Sequence, residues 1–352
     1  MNTGWIHLFS RWGRCWIVVI GLSAAPAWAL EPVALQLKWT HAFQFAGYYA
    51  AVEQGYYRDA GLDVTILEAS PQTDPVKEVV EGRAQYGVGT SGLLLSRASG
   101  NPVVVLAVIF QQSPYEIYAS PEIHSLHDLV GKRLMLEPQT EELLALLKKE
   151  NVPVDLIQCL PHSFDANGLM RGEADAISGY ISNEPYYFLK AGYLFHTFSP
   201  RSAGIDFYGD NLFTSEQELK DHPARVRAFR AASLKGWQYA RSHRDEMIEL
   251  IRTRYSPHTP AEFLHFEADR MIPLLQPDLI EIGYMNPQRW KHIADTYAEL
   301  SLLPAGYPLK GFLYQPDLQN LTWFYRILGF GLVLLLIFVV LEFYVYMLNR
   351  RL

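Results

Sequence analysis

Glu184, in the run Ser182-Asn183-Glu184-Pro185, is the polar residue best suited to recognising a small molecule. A carboxylate accepts hydrogen bonds from an amino group and favours a protonated ring nitrogen, and Asn183 adds a donor and an acceptor. The competing reading is a helix start, with Asn183 as the cap and Glu184 in the first turn. Trp39 is the aromatic counterpart. Its indole closes an alternating run, where it either stacks on a planar ring or sits in the core beneath the next helix. Tyr48 and Tyr49 open that helix with side chains pointing in different directions, so one of the two is expected at the site. Gly89-Thr90-Ser91 lies between a strand and a helix. Free backbone N–H groups there bind an anionic or carbonyl oxygen, unless Thr90 or Ser91 simply caps the helix. Tyr187 offers a second stacking face. Tyr208 and Asp210, together with Tyr115 and Glu116, fall where the chain is expected to cross between lobes, lining a cleft or turning the chain.

Other chemistries find little support. The formal net charge is -7, and no block of Lys and Arg stands out in the body of the chain, so nucleic acid is not an expected partner. Of the two cysteines, Cys15 falls in the N-terminal leader, which leaves Cys159 as a lone thiol in the apolar run LIQCL, expected as a buried strand residue. No CxxC or HExxH spacing occurs. His41, Arg171 and the group His265-Phe266-Glu267 read as ordinary surface or core residues, so no metal is expected.

Alternating strand-like and helix-like segments must position these side chains. Val33–Lys38 alternates apolar and polar as a half-buried strand does, and Ala46–Asp59 suits a helix stopped by Gly61. Val64–Glu68, Tyr86–Val88 and Val103–Ile109 read as further strands, separated by helices at Asp74–Gly82 and Leu93–Ser99. Arg133–Leu136, Val154–Leu160 and Ala174–Gly179 repeat the theme, and past Tyr208 the pattern turns mostly helical. This order predicts an α/β fold with parallel sheets and helices on both faces. Two lobes would be joined near Tyr115–Ser120 and Asp206–Phe213, with residues 30–117 and 208–320 in one and 118–207 in the other. A ligand would lie between them at the carboxyl ends of the strands.

The ends of the chain give an address. Residues 1–29 read as a signal peptide, with Arg11 and Arg14 before the apolar run CWIVVIGLSAA and a small-x-small site at Ala27-Trp28-Ala29. Residues 323–348 read as one transmembrane helix, preceded by Trp323, Phe324 and Tyr325 and followed by Arg350-Arg351. The basic pair is expected in the cytoplasm, within a tail of residues 349–352, and residues 30–320 in the periplasm as a single-pass inner-membrane protein. Glu342 is close enough to the cytoplasmic end to be tolerated.

The stretch Leu37–Ile66 (LKWTHAFQFAGYYAAVEQGYYRDAGLDVTI) resembles the opening of the family shared by thiamine-pyrimidine precursor binding proteins of ABC importers and fungal thiamine-pyrimidine synthases. The runs EGRAQYGVGT (Glu81–Thr90), GNPVVVLA (Gly100–Ala107) and GEADAISGYISNEP (Gly172–Pro185) agree with it. The resemblance implies a two-lobed periplasmic-binding-protein type II fold, plus the one C-terminal transmembrane helix, with the Asn-Glu-Pro glutamate as a ligand residue. In the synthases a lysine holds pyridoxal phosphate and a nearby histidine is consumed. Both lie in the segment matching Tyr86–Gly100, which here reads YGVGTSGLLLSRASG and contains neither. A Schiff base needs an amine, and Arg97 does not supply one. The expected activity is therefore binding without catalysis and without a cofactor: capture of an aminopyrimidine-like ligand for an inner-membrane permease. Sensor kinases and cyclases also carry external domains of this kind on a membrane helix, so a signalling partner is the alternative.

Overall fold

A computed structural model describes residues 29–315 and 318–350. The expected leader apart from Ala29, and the terminal Arg351-Leu352, lie outside the described residues. Among the described residues there are ten strands: β1 (Glu31–Gln36), β2 (Leu62–Leu67), β3 (Tyr86–Gly89), β4 (Val103–Val108), β5 (Tyr115–Ala119), β6 (Arg133–Leu136), β7 (Gln158–Pro161), β8 (Ala176–Tyr180), β9 (His196–Phe198) and β10 (Asn211–Ser215). They form two five-stranded sheets, ordered β2-β1-β3-β10-β4 and β7-β6-β8-β5-β9.

The sheets are mixed, not parallel as expected. β1 runs parallel to β2 and β3, and β6 runs parallel to β7 and β8. β10 pairs antiparallel with β3 and β4, and β5 pairs antiparallel with β8 and β9. Each antiparallel strand is the first one laid down after the chain changes sheet, so it enters from the opposite end. The changes occur between Val108 and Tyr115 and between Phe198 and Asn211. Tyr115 thus begins β5, and Phe213 lies within β10, rather than in the crossings where the sequence put them.

Two local expectations also shift. The helix expected over Ala46–Asp59 is divided into Ala46–Glu53 and Tyr56–Asp59, because Gly55 takes φ 74, a left-handed conformation that interrupts a helix. Cys159 is in a strand but exposed: β7 is an edge strand whose sole neighbour is β6.

The first sheet's core is aromatic. The helix Pro223–Ser242 lays Phe229 flat on Tyr86 at 3.6 Å and near Tyr57 at 4.9 Å, and brings Trp237 edge-on to Tyr48 at 5.7 Å. Each such pair adds about 0.5–1.5 kcal/mol beyond the area it buries. A packed framework of this kind holds the ends of the strands in place. A separate helix, Leu318–Asn349, closes the described chain. Its apolar stretch Phe324–Asn349 has 26 residues. At about 1.5 Å per residue it is longer than the ~30 Å hydrocarbon core of a bilayer. Phe330, Leu336, Phe338 and Phe343 on it are exposed. By length and composition this helix is a candidate membrane span.

Candidate ligand-binding site

The two sheets face each other across a cleft at the carboxyl ends of β1, β6, β7 and β8. Between them is a cavity of about 170 Å³. Trp39 to Ala42, after β1, form one wall with Thr259, Phe263 and Glu267; Phe164 to Asn167, after β7, form the other with Asn183, Glu184 and Tyr187. A second recess of about 10 Å³ shares Trp39, Asn183 and Glu184 and is closed by Lys38, Gln44, Glu137 and Tyr180. It is no larger than one water molecule needs.

Glu184 begins the helix Glu184–Ala191, with Pro185 beside it in the first turn, but neither Glu184 nor Asn183 caps that helix. The Glu184 carboxyl instead turns back and accepts the Tyr180 N–H at 2.7 Å. It fits there because residue 179 is glycine. A Cβ at Gly179 would lie 2.2 Å from Glu184 Oε2. Trp39 packs on Phe164 at 3.8 Å, so one face of the indole is already covered by the opposite wall. Phe164 holds φ 60, a conformation seldom adopted by bulky residues and found where a site imposes it.

A chain of polar groups ties the walls together beside the cavity. Gln44 donates to Asp210 Oδ2 at 2.6 Å, and the Tyr180 hydroxyl donates to Asp210 Oδ1 at 2.9 Å. Lys38 Nζ donates to the Tyr180 hydroxyl at 2.6 Å, is 3.4 Å from the Tyr115 hydroxyl, and is 3.9 Å from Asp210. The Tyr115 hydroxyl donates to Glu137 at 3.2 Å. Farther along the cleft, the Thr90 N–H donates to Gln139 Oε1 at 3.1 Å and the Thr90 hydroxyl to the Gln139 carbonyl at 3.0 Å.

Burial decides the charge of the carboxyls. It pushes Glu184 well above the usual carboxylate range, with the Glu137 charge adding to the effect, and it pushes Glu267 up to about 8. Glu267 is therefore largely a carboxylic acid at neutral pH, able to donate as well as accept, and burial biases Glu184 in the same direction. Asp210 is also raised by burial, opposed by Lys38 and by the bonds from Gln44 and Tyr180. Burial thus works against the charged form of the carboxyl that the sequence suggested at Glu184, while its Oε2 remains an acceptor.

Of the residues singled out from sequence, the structure brings Trp39, Asn183, Glu184 and Tyr187 to the cavity, and Tyr115 and Asp210 to the polar chain beside it. The other six are elsewhere, Glu116 accepting from the Tyr118 hydroxyl at 2.7 Å. Tyr48 is buried against Trp237, and Tyr49 stacks on Tyr255 at 4.1 Å while its hydroxyl meets His41 Nδ1 at 2.8 Å. Thr90 has its N–H occupied by Gln139 and its hydroxyl accepting from the Gly92 N–H. The Ser91 hydroxyl donates to the Tyr208 carbonyl, and the Tyr208 ring packs near Trp290. Sequence reasoning missed Lys38, Gln44, Glu137, His162, Phe164 and Tyr180. Lys38 directly precedes Trp39, so the strand end that pointed to Trp39 also contained a signal for it. Lys38 is, moreover, an amine in the cleft, outside the Tyr86–Gly100 segment on which the argument against a Schiff base was built.

Comparison with known proteins agrees with this architecture. Residues 42–247 match the model of the NMT1/THI5-like family. A formylaminopyrimidine-binding protein of Halalkalibacterium halodurans is 26% identical over 234 residues, covering 64% of this chain and 71% of the relative. A riboflavin-binding protein, RibY, of Chloroflexus aurantiacus is 24% identical over 304 residues, covering 80% and 86%. Among solved structures, the alkanesulfonate-binding protein SsuA of Xanthomonas axonopodis pv. citri superposes with a TM-score of 0.62 at 15% identity, over 80% of this chain and 98% of that one. The fold is the two-lobed one of the periplasmic solute-binding proteins, and the chain belongs to the NMT1/THI5-like family.

Proposed function

We propose that the chain binds a small, neutral, planar heterocycle of the aminopyrimidine class in the cleft and delivers it to an inner-membrane permease of an ABC importer. Its C-terminal helix holds it at the periplasmic face of that membrane. The observation that carries this reading is the cavity lined by Trp39, Glu184 and Glu267. Its volume of about 170 Å³ is below the roughly 300–1,000 Å³ of sites for drug-sized ligands. That favours a single ring over the three fused rings of a flavin. Lys38, a cation at the inner end of the cleft, disfavours a positively charged ligand, and the carboxyls of Glu184 and Glu267 suit one carrying both donors and acceptors. Closure of two lobes on such a ligand needs no chemical step.

The test is a thermal-shift series on the full chain in detergent with 4-amino-2-methylpyrimidine, riboflavin and an alkanesulfonate. The aminopyrimidine should raise the midpoint by mass action, and Trp39→Ala should remove most of the rise. A rise with the sulfonate or riboflavin alone would contradict the proposal.

A further inference from the structure

Three side chains converge at the inner end of the cleft, and one of them, His162, has no role so far. Glu137 follows β6, His162 follows β7, and Glu184 follows β8. These strands are neighbours in the order β7-β6-β8 and run parallel, so one edge of one sheet delivers all three. All three are buried, and one ligand-type atom from each lies within 4.8 Å of the others. Two carboxyls and an imidazole at that spacing are a donor set that invites a divalent metal.

The histidine decides against a metal. The Phe164 N–H donates to His162 Nδ1 at 2.9 Å. A backbone N–H is only ever a donor, so Nδ1 presents its lone pair, and the neutral ring must hold its proton on Nε2. Burial favours that neutral ring. A protonated Nε2 has no lone pair for a metal, and moving the proton to Nδ1 would set two N–H groups against each other. Among the described residues Nε2 is buried with no partner in hydrogen-bond geometry, while a backbone contact with Ser178 and the Glu137 and Asp165 charges favour a proton on the ring. It is an unpartnered donor beside two carboxyls, with the Trp39 ring centre 5.8 Å from its own. Leaving such a donor unpaired costs about 1–3 kcal/mol.

We propose that His162, Glu137 and Glu184 form a hydrogen-bonding subsite that reads one polar edge of the ligand. His162 Nε2–H donates to a ring nitrogen or carbonyl oxygen, and the glutamates take the N–H groups next to it. The class selected is a cyclic amidine or lactam, whose edge carries acceptor and donor side by side. This rests on the cleft-binding reading above.

Titration calorimetry on the full chain in detergent, with 4-amino-2-methylpyrimidine and separately with zinc chloride, tests the subsite. Wild type should bind the aminopyrimidine, and His162→Phe should weaken it about 10–100-fold. His162→Gln, which retains an N–H donor, should stay within about fivefold of wild type. Zinc should show no binding that depends on His162. The Gln variant, together with a melt of each protein, guards against a Phe variant that merely unfolds. Aminopyrimidine binding that needs Trp39 but is unchanged in His162→Phe would overturn the subsite and leave the cleft reading standing. Stoichiometric zinc binding lost in His162→Phe would overturn it in favour of a metal. No binding to wild type at all would take down both readings together.

Discussion

Gly179→Ala is a one-carbon change that interrogates the site without touching a binding group. The new Cβ would lie 2.2 Å from Glu184 Oε2, 2.4 Å from its Cδ and 2.6 Å from its Cγ, so the carboxyl has to leave. Departure breaks the 2.7 Å bond from the Tyr180 N–H and strands a buried donor, at a cost of about 1–3 kcal/mol. Alanine's smaller unfolded-state entropy returns only about 0.4–1 kcal/mol. For a domain of this size each kcal/mol moves the midpoint by about 2–4 °C, so a melt should fall by several degrees. Affinity for 4-amino-2-methylpyrimidine should drop about tenfold or more, since 1.4 kcal/mol is a factor of ten. The double variant Gly179→Ala/Glu184→Ala separates cause from coincidence. Trimming Glu184 removes the object of the clash, so the double should be clearly more stable than the sum of the singles predicts. Strict additivity, or a Gly179→Ala protein that melts and binds like wild type, would refute the placement of Glu184.

Further outcomes follow from the same geometry. Glu267 and Glu142 are both pushed by burial from 4.5 to about 8, so the folded chain retains protons that the unfolded chain has already released. Stability from these groups is full below pH 4.5 and is lost as pH rises through about 8, and Glu267→Gln should flatten melts taken between pH 5 and 8.5. Lys38→Met removes the cation beside buried Asp210 and should destabilise by about 3 kcal/mol. Adding Asp210→Asn should recover part of that loss in the same melt. A chain ending at Gln315 should be recovered in the soluble fraction, and the full chain in the membrane pellet; equal partition would remove the tether.

The sequence told most where neighbours in the chain are also neighbours in the site. Val33–Lys38 alternates visibly, and the strand it predicts leads straight into Trp39. Gly172–Pro185 likewise contains both β8 and Glu184. Strand direction was hidden, because β5 and β10 are short, fully or mostly buried runs with nothing local to say which way they insert. Cys159 was misread for a related reason: an apolar run looks the same on an edge strand as in the middle of a sheet. The polar chain was hardest to see. Lys38 and Tyr180 are 142 positions apart and Tyr180 and Asp210 are 30 apart, and only the approach of the two sheets makes them, with Tyr115 and Glu137, one network. The Thr90 N–H and the Ser91 hydroxyl, read from sequence as open to a ligand, are paired with Gln139 and the Tyr208 carbonyl, partners far along the chain. The upward push of burial on the Glu184 carboxyl was equally out of reach, since burial is a property of the fold.

The most direct measurement is a crystal structure of the chain with 4-amino-2-methylpyrimidine. The cleft reading predicts the ring beside Trp39 and Glu184, and the subsite adds its amino edge on Glu137 and a ring nitrogen within hydrogen-bond distance of His162 Nε2. Density for the ligand anywhere else, or a cleft unchanged at saturating ligand with Trp39 and His162 in their present contacts, would contradict it.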